Sequence, residues 1–209
     1  MSEVQSNGAV TKPKPGPLKW AIGAVMLVGV VGVLYVIAQA SFKPAEAADL
    51  TEFKKASLAK LDVPKSPRGA PATVFTDMAG KPHTLADFKG QVVVMNLWAT
   101  WCAPCKKEMP TLAKLAGAYP TQPLKVLPVS MDRDDDLNLI KAEMAKNPPL
   151  VSFRDKSYKL SFDLQPRAIG YPTTVIYDKQ GRERARIAGE ADWSSPEARG
   201  LVEALLKEK

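Results

Sequence analysis

The two cysteines of the chain, Cys102 and Cys105, stand in the stretch WATWCAPCKKEMP, with Ala103 and Pro104 between them. Two thiols at that spacing could ligate a metal, clip a short loop, or exchange electrons as a dithiol–disulfide couple. A metal site needs three or four ligands. The only histidine is His83, in the turn region KPHT, where a solvated surface residue is expected, so no metal is expected. A purely structural disulfide here would close a loop too short to constrain the unfolded chain. Redox exchange explains more of the pattern. At the start of a helix the first sulfur meets free amides and the positive end of the macrodipole, which favour thiolate over thiol. The second sulfur falls one turn in, close enough to make or break a disulfide. Pro104 suits a first turn, where no amide donor is needed.

Such a site needs a rigid strand before it and a helix after it. QVVVMNL, residues 91–97, is a run of β-formers without alternation, the pattern of a strand buried on both faces. A helix is expected over 102–118, then a strand over 124–131. Helices follow over 134–146, with acids in the first turn, and over 158–164. Residues 173–177 and 183–187 read as a hairpin across Asp178-Lys179-Gln180-Gly181, and 195–206 as a closing amphipathic helix. Ahead of the motif, 73–76 reads as a strand and 85–88 as a helical turn. Strands alternating with helices, then a hairpin and a helix, make an α/β sandwich.

Further upstream the composition changes. Residues 1–17 are polar and proline-rich, the signature of a disordered tail. The segment WAIGAVMLVGVVGVLYVIAQA, residues 20–40, carries no charge and has 21 residues, enough to cross a hydrocarbon layer of ~30 Å. An anchor over 18–40 is expected. Lys12, Lys14 and Lys19 precede the uncharged segment 20–40 while Glu46 and Asp49 follow it, which puts the tail in the cytoplasm and the large C-terminal part outside it. The rival is a cleaved signal peptide ending at Ala38-Gln39-Ala40, although its apolar core would be unusually long. Residues 41–69 read as a helical spacer (45–61, with Leu50, Phe53, Leu58 and Leu61 apolar), which could equally pack on the domain, and a proline-rich linker, VPKSPRGAP. The compact domain is expected over 70–209. The net charge of +7 comes without a dense Lys/Arg block interleaved with aromatics, so nucleic-acid binding is not expected.

VVVMNLWATWCAPCKKEMP resembles the active-site segment of the thioredoxin superfamily. With Phe88-Lys89-Gly90 before the buried strand, Glu108 after the second cysteine and GYPTT at 170–174, the chain is similar to the membrane-anchored TlpA/ResA/CcmG group of thiol:disulfide oxidoreductases over about residues 70–207. The resemblance implies a thioredoxin-like α/β fold, a mixed central sheet flanked by helices, with an N-terminal transmembrane helix. It implies a redox-active Cys102–Cys105 disulfide, with Cys102 attacking and Cys105 resolving, and no cofactor. Trp101, Tyr171 and Pro172 would bind the client's backbone, with Tyr171–Pro172 cis, and Pro110 would kink the active-site helix. The function it implies is reduction of exported cysteine pairs in cytochrome biogenesis: assembly factors, copper-site thiols or apocytochromes. Electrons would come from a membrane reductase of the DsbD or CcdA type. The protein would be a monomer in the inner membrane, its catalytic domain in the periplasm. An oxidant or isomerase of secreted disulfides and a copper chaperone are the rival functions.

Two departures stand out, at Asn96 and at Pro128. Asn96 occupies the place of a buried aspartate in thioredoxin itself, and asparagine cannot take a proton. Glu108, three residues beyond Cys105 and so on the same helical face, is either a solvated partner of Lys107 or Lys114 or, as the resemblance favours, a partly buried proton acceptor for Cys105. Pro128, mid-strand in LKVLPVSMD, leads us to expect a bulge. Members of the group can also carry an additional cysteine pair, which this chain lacks.

Overall fold

The computed structural model describes residues 26, 29–33, 35 and 48–208. The chain forms two compact units, Met1–Glu46 and Ala47–Lys209. In the first, residues 26, 29–33 and 35 are helical and exposed. The tail over 1–17 and the remainder of the expected anchor lie outside the described residues. Among those described, no helix is long and apolar enough to cross a membrane.

The second unit is organised around β4 (Val92–Trp98), every residue of which is buried. Val92, Val94 and Trp98 face one core, where they meet Met109, Leu112 and Leu115 of α1 (Ala103–Ala118) and Leu201, Val202 and Leu205 of α4 (Pro196–Lys207). Val93, Met95 and Leu97 face a second core with Leu160 of α3 (Lys159–Asp163). Successive strand residues point to opposite faces, so an apolar run without alternation is what a strand between two cores requires.

β4 lies parallel to β5 (Leu124–Ser130) and antiparallel to β7 (Thr173–Tyr177), which makes the sheet mixed. β5 leads through α2 (Leu137–Lys146) to the short parallel β6 (Phe153–Arg154). β7 turns into antiparallel β8 (Arg182–Ala188), with Gly181 at φ 77° closing the turn. β1 (Arg68–Gly69) adds to β8, and β2 (Phe75–Asp77) and β3 (Pro82–His83) close the other side. The sheet order is β1-β8-β7-β4-β5-β6-β2-β3. This is the expected thioredoxin-like sandwich; β1, β3 and β6 are too short for the sequence pattern to mark. His83, expected in solvent, lies edge-on to Phe153 at 5.4 Å between ring centroids, with Asp77 and Asp87 each 3.5 Å from its ring nitrogens.

The bulge expected at Pro128 is absent, and the register runs unbroken through Asn96↔Pro128. The Pro128 carbonyl accepts from the Ser152 hydroxyl at 3.4 Å, on the β6 side. In a strand the N–H of a residue faces the same way as its carbonyl, so the donor proline lacks would point there too. β6 pairs with β5 only at Val129 and Ser130, so the ladder loses no bond.

Residues 45–61 also differ from expectation. From residue 48 they form two separate 3₁₀ turns, Leu50–Phe53 and Ala56–Leu58, not a spacer helix. The apolar residues explain why. Leu50/Phe53 and Leu58/Leu61 are each three apart, but five separate the pairs, so no single helical stripe collects them; residues i and i+3 eclipse on a 3₁₀ turn. Leu50, Leu58 and Leu61 are 1%, 0% and 0% exposed and belong to the core of α1 and α4. The Phe53 ring packs so closely on α4 that a Cβ at Gly200 would sit 2.7 Å from it. Ala48 donates its N–H to Glu208 at 2.8 Å and accepts from Arg184 at 3.0 Å. Asp62 exchanges backbone bonds of 2.7 and 2.9 Å with Arg186. The folded unit thus takes in the strap 48–62: of the two roles open to this segment it packs on the domain, although as 3₁₀ turns and not as a helix.

Leu58→Ala and Leu61→Ala should each destabilise the fold by about 2–5 kcal/mol, the cost of emptying a closed core site. Chemical denaturation checks this; a strap that merely spans distance would give no change.

Candidate redox site

β4 ends at Trp98, and the chain turns through residues 99–101 into α1. Asp132, just past β5 and 1% exposed, holds that turn. Its carboxylate accepts from the Thr100 N–H at 2.9 Å and the Thr100 hydroxyl at 2.8 Å, and from Ser130 at 2.7 Å. β5 is parallel to β4, so its end lies beside the end of β4, and a short acid there reaches the turn. No local pattern marks Asp132, because its partner lies 32 residues away.

Cys102 is the N-cap of α1, and its sulfur accepts the Cys105 N–H at 3.2 Å. Pro104 sits in the first turn as expected. The two sulfurs form a disulfide of 2.02 Å. Cys102 retains 5% exposure and Cys105 none, so the first sulfur is the one on the outer side.

The antiparallel β4–β7 register pairs Leu97 with Thr173 and so places residues 171–172 beside the end of β4. The Tyr171–Pro172 bond is cis, as expected; Pro148–Pro149 and Gln165–Pro166, also cis, were not foreseen. Trp101, 64% exposed, meets Tyr171 edge-on at 6.0 Å, and the Tyr171 hydroxyl bonds Ser161 at 2.9 Å. Trp101 and Tyr171 therefore form one aromatic face at the disulfide end of the sheet. Pro172 is buried, its carbonyl accepting from Gly189 at 2.9 Å.

Glu108 lies one turn beyond Cys105 on α1 and is 2% exposed. It pairs with neither Lys107 nor Lys114; Lys107 instead meets Glu190 at 2.6 Å. The Glu108 carboxylate accepts from Asn96 Nδ2 at 2.5 Å and from the Ala191 N–H at 3.0 Å. Burial pushes its pKa up to about 7, against the lowering effect of the Ala191 amide and Asn96. The Trp193 indole N–H also lowers it from nearby, although it falls outside hydrogen-bond geometry with any acceptor among the described residues. Glu190 adds a smaller upward push through its charge. Glu108 lines a cleft of about 400 Å³ with Ser57, Thr111 and Asp192. A carboxyl that holds its proton near neutrality, one helical turn from a buried sulfur and beside a cleft, is chemically able to relay protons.

The structure thus brings Cys102, Cys105 and Glu108 together on one helix, with Trp101, Tyr171 and Pro172 around its start. A profile of the AhpC/TSA family matches residues 68–185. The thiol-disulfide oxidoreductase ResA of Geobacillus thermodenitrificans is 33% identical over 122 residues, 57% of this chain and 67% of that protein. ResA of Bacillus anthracis is 34% identical over 125 residues, 58% of this chain and 68% of that one. Among solved structures, a thioredoxin-family thiol:disulfide interchange protein from Chlorobium tepidum superposes with a TM-score of 0.57 at 20% identity, over 68% of this chain and 99% of that one. A secreted Mycobacterium tuberculosis disulfide oxidoreductase homologous to E. coli DsbE does so at 0.54 and 23%, over 64% and 96%. At these identities the two structures speak for the fold alone.

Glu108 binds its proton more tightly folded, at about 7, than at its ordinary value of 4.5. The resulting stabilisation is full below pH 4.5 and is lost as pH rises through 7. The loss is on the order of 3 kcal/mol, a large share of the stability of a small domain. Denaturation of the oxidised protein from about pH 5 to pH 8 should show this fall, and Glu108→Gln should flatten it.

Proposed function

From the membership of this chain in the AhpC/TSA family, where it is a thiol:disulfide oxidoreductase of the ResA/CcmG type, we propose that it is anchored in the inner membrane and reduces exported cysteine pairs during cytochrome biogenesis. The observation that carries this reading is the Cys102–Cys105 pair at the start of α1, one turn from the buried Glu108.

In the reduced protein, the Cys102 sulfur at the helix start accepts the Cys105 amide as a thiolate. It attacks a client disulfide, forming a mixed disulfide and expelling the client's other sulfur, which takes up a proton. Cys105 then loses its proton, attacks the Cys102 sulfur and restores the intramolecular disulfide. The client's second sulfur leaves Cys102 as a thiolate, and the client departs as a dithiol with two electrons from the cysteine pair and both protons taken from solvent. Trp101, Tyr171 and Pro172 hold the client's backbone during the exchange. Glu108 takes the Cys105 proton, directly or through one water, and passes it to solvent by way of the adjoining cleft. A membrane reductase of the DsbD or CcdA type re-reduces the pair. Clients are cytochrome assembly factors, copper-site thiols and apocytochromes. The charge pattern around residues 20–40, with lysines before and acids after, supports a cytoplasmic N-terminus and a periplasmic domain.

Cys105→Ser should accumulate mixed disulfides in cells, identified by mass spectrometry, and Cys102→Ser should form none; an empty trap with Cys105→Ser overturns the reading. In Glu108→Gln, release of the mixed disulfide should slow by about 10²-fold while its formation changes little. Unchanged release across neutral pH would remove Glu108 from the mechanism.

A membrane-impermeant thiol reagent should label reduced Cys102 in intact spheroplasts. Labelling only after lysis would place the domain in the cytoplasm.

A further inference from the structure

A groove of about 770 Å³ opens one strand beyond β7, lined by Pro166, Ile169 and Ala188, with Lys60 and Asp62 of the strap and Arg167. Its charges are unbalanced. Among the described residues, Lys60 has no hydrogen bond or ion pair and Arg167 meets only the Phe162 ring, at 5.9 Å. Asp62 is already held by Arg68 at 3.2 Å. The Arg186 guanidinium, which also reaches the groove, is consumed by Glu183 and the Pro166 carbonyl. Two free cations therefore face a groove with no free anion.

The backbone there is also unpartnered. Arg186 turns its N–H and carbonyl outward to Asp62. By the two-residue period of a strand, Ala188 turns its own pair to the same edge. The strap would have to supply the partner at Lys60, but it turns away at residues 59–60, and Ala188 has no outward partner among the described residues. Ile169, 97% exposed, adds an apolar contact beside this free edge.

The groove lies within reach of the disulfide. Ala188 pairs with Thr173, which pairs with Leu97 at the end of β4. Two strand spacings make about 10 Å from Ala188 to the end of β4, the strand that leads into the Cys102 turn, a span that an extended chain covers in about three residues.

We propose that this groove receives an extended acidic segment of the client, about three or four residues from the cysteine that Cys102 attacks. Its backbone pairs with Ala188 on the open edge, an apolar side chain rests on Ile169, and carboxylates meet Lys60 and Arg167. The inference rests on the oxidoreductase reading and adds to it a rule for choosing clients.

The test uses the reduced full-length protein and synthetic peptides with one internal disulfide. Each carries two Asp, two Ser or two Lys three to four residues from the attacked cysteine. The Asp peptide should be reduced at least about tenfold faster than the Lys peptide at low ionic strength, with the ratio shrinking in high salt. Lys60→Ser/Arg167→Ser should bring the ratio towards one. Equal rates in the wild type, or an undiminished ratio in a double variant with a native circular-dichroism spectrum, overturns the proposal. A wild-type ratio near one, together with altered sedimentation of the double variant, overturns the proposal and assigns the groove to a second copy of the chain instead. Failure to reduce the small neutral disulfide 2,2′-dithiodipyridine would overturn the oxidoreductase reading itself; reduction of it with a flat peptide ratio overturns the groove alone.

Discussion

A strand with no free edge and no wet face constrains everything around it. β4 is such a strand, paired on both sides and buried on both faces, so the one polar side chain it carries, Asn96, must find partners inside the protein. It finds Glu108 on α1 and, at 2.9 Å, the Thr174 hydroxyl on β7. A buried amide left unpaired costs about 1–3 kcal/mol. Pairing the NH₂ of this one ties the active-site helix to the two strands that place the cysteines and the Tyr171–Pro172 segment.

The same contact sets the character of Glu108. Burial alone would keep the carboxyl neutral; the Asn96 and Ala191 donors favour the ionised form; the balance falls near neutrality. Asn96 gives both its bonds through Nδ2 and leaves Oδ1 without a partner, an arrangement suited to a carboxylate opposite it. Thioredoxin itself places a buried aspartate on this strand. Here the strand position holds a neutral amide, and the acid sits across from it on the helix, still within one turn of the second cysteine.

The strap 48–62 gives the domain a second layer of organisation. It closes the core over α1 and α4 through Leu50, Leu58 and Leu61, and it ties the start of the unit to the end through Ala48, Arg184 and Glu208. It also contributes Ser57 to the cleft beside Glu108 and Lys60 to the groove beyond β7. A segment that looks like a spacer in one dimension thus borders both openings that flank the redox site.

What the sequence alone determined was local. The apolar run 91–97, the Cys-Ala-Pro-Cys turn, the hairpin across Asp178–Gly181 and the amphipathic end each carry their signal within a few residues, and each formed where expected. The redox pair was legible for the same reason: both sulfurs and the helix start that activates them lie within four residues. What only the tertiary structure decided were the partners far apart in the chain. Asp132 on the Thr100 turn, the Ala191 amide on Glu108, Ser161 on Tyr171, and the fit of Phe53 against Gly200 depend on which strands and helices become neighbours. The tolerance of Pro128 has the same origin, since whether a missing N–H matters depends on where the adjacent strand begins. Propensity and periodicity report which way a residue faces; whether a buried polar atom there is satisfied depends on long-range packing, which no local pattern contains.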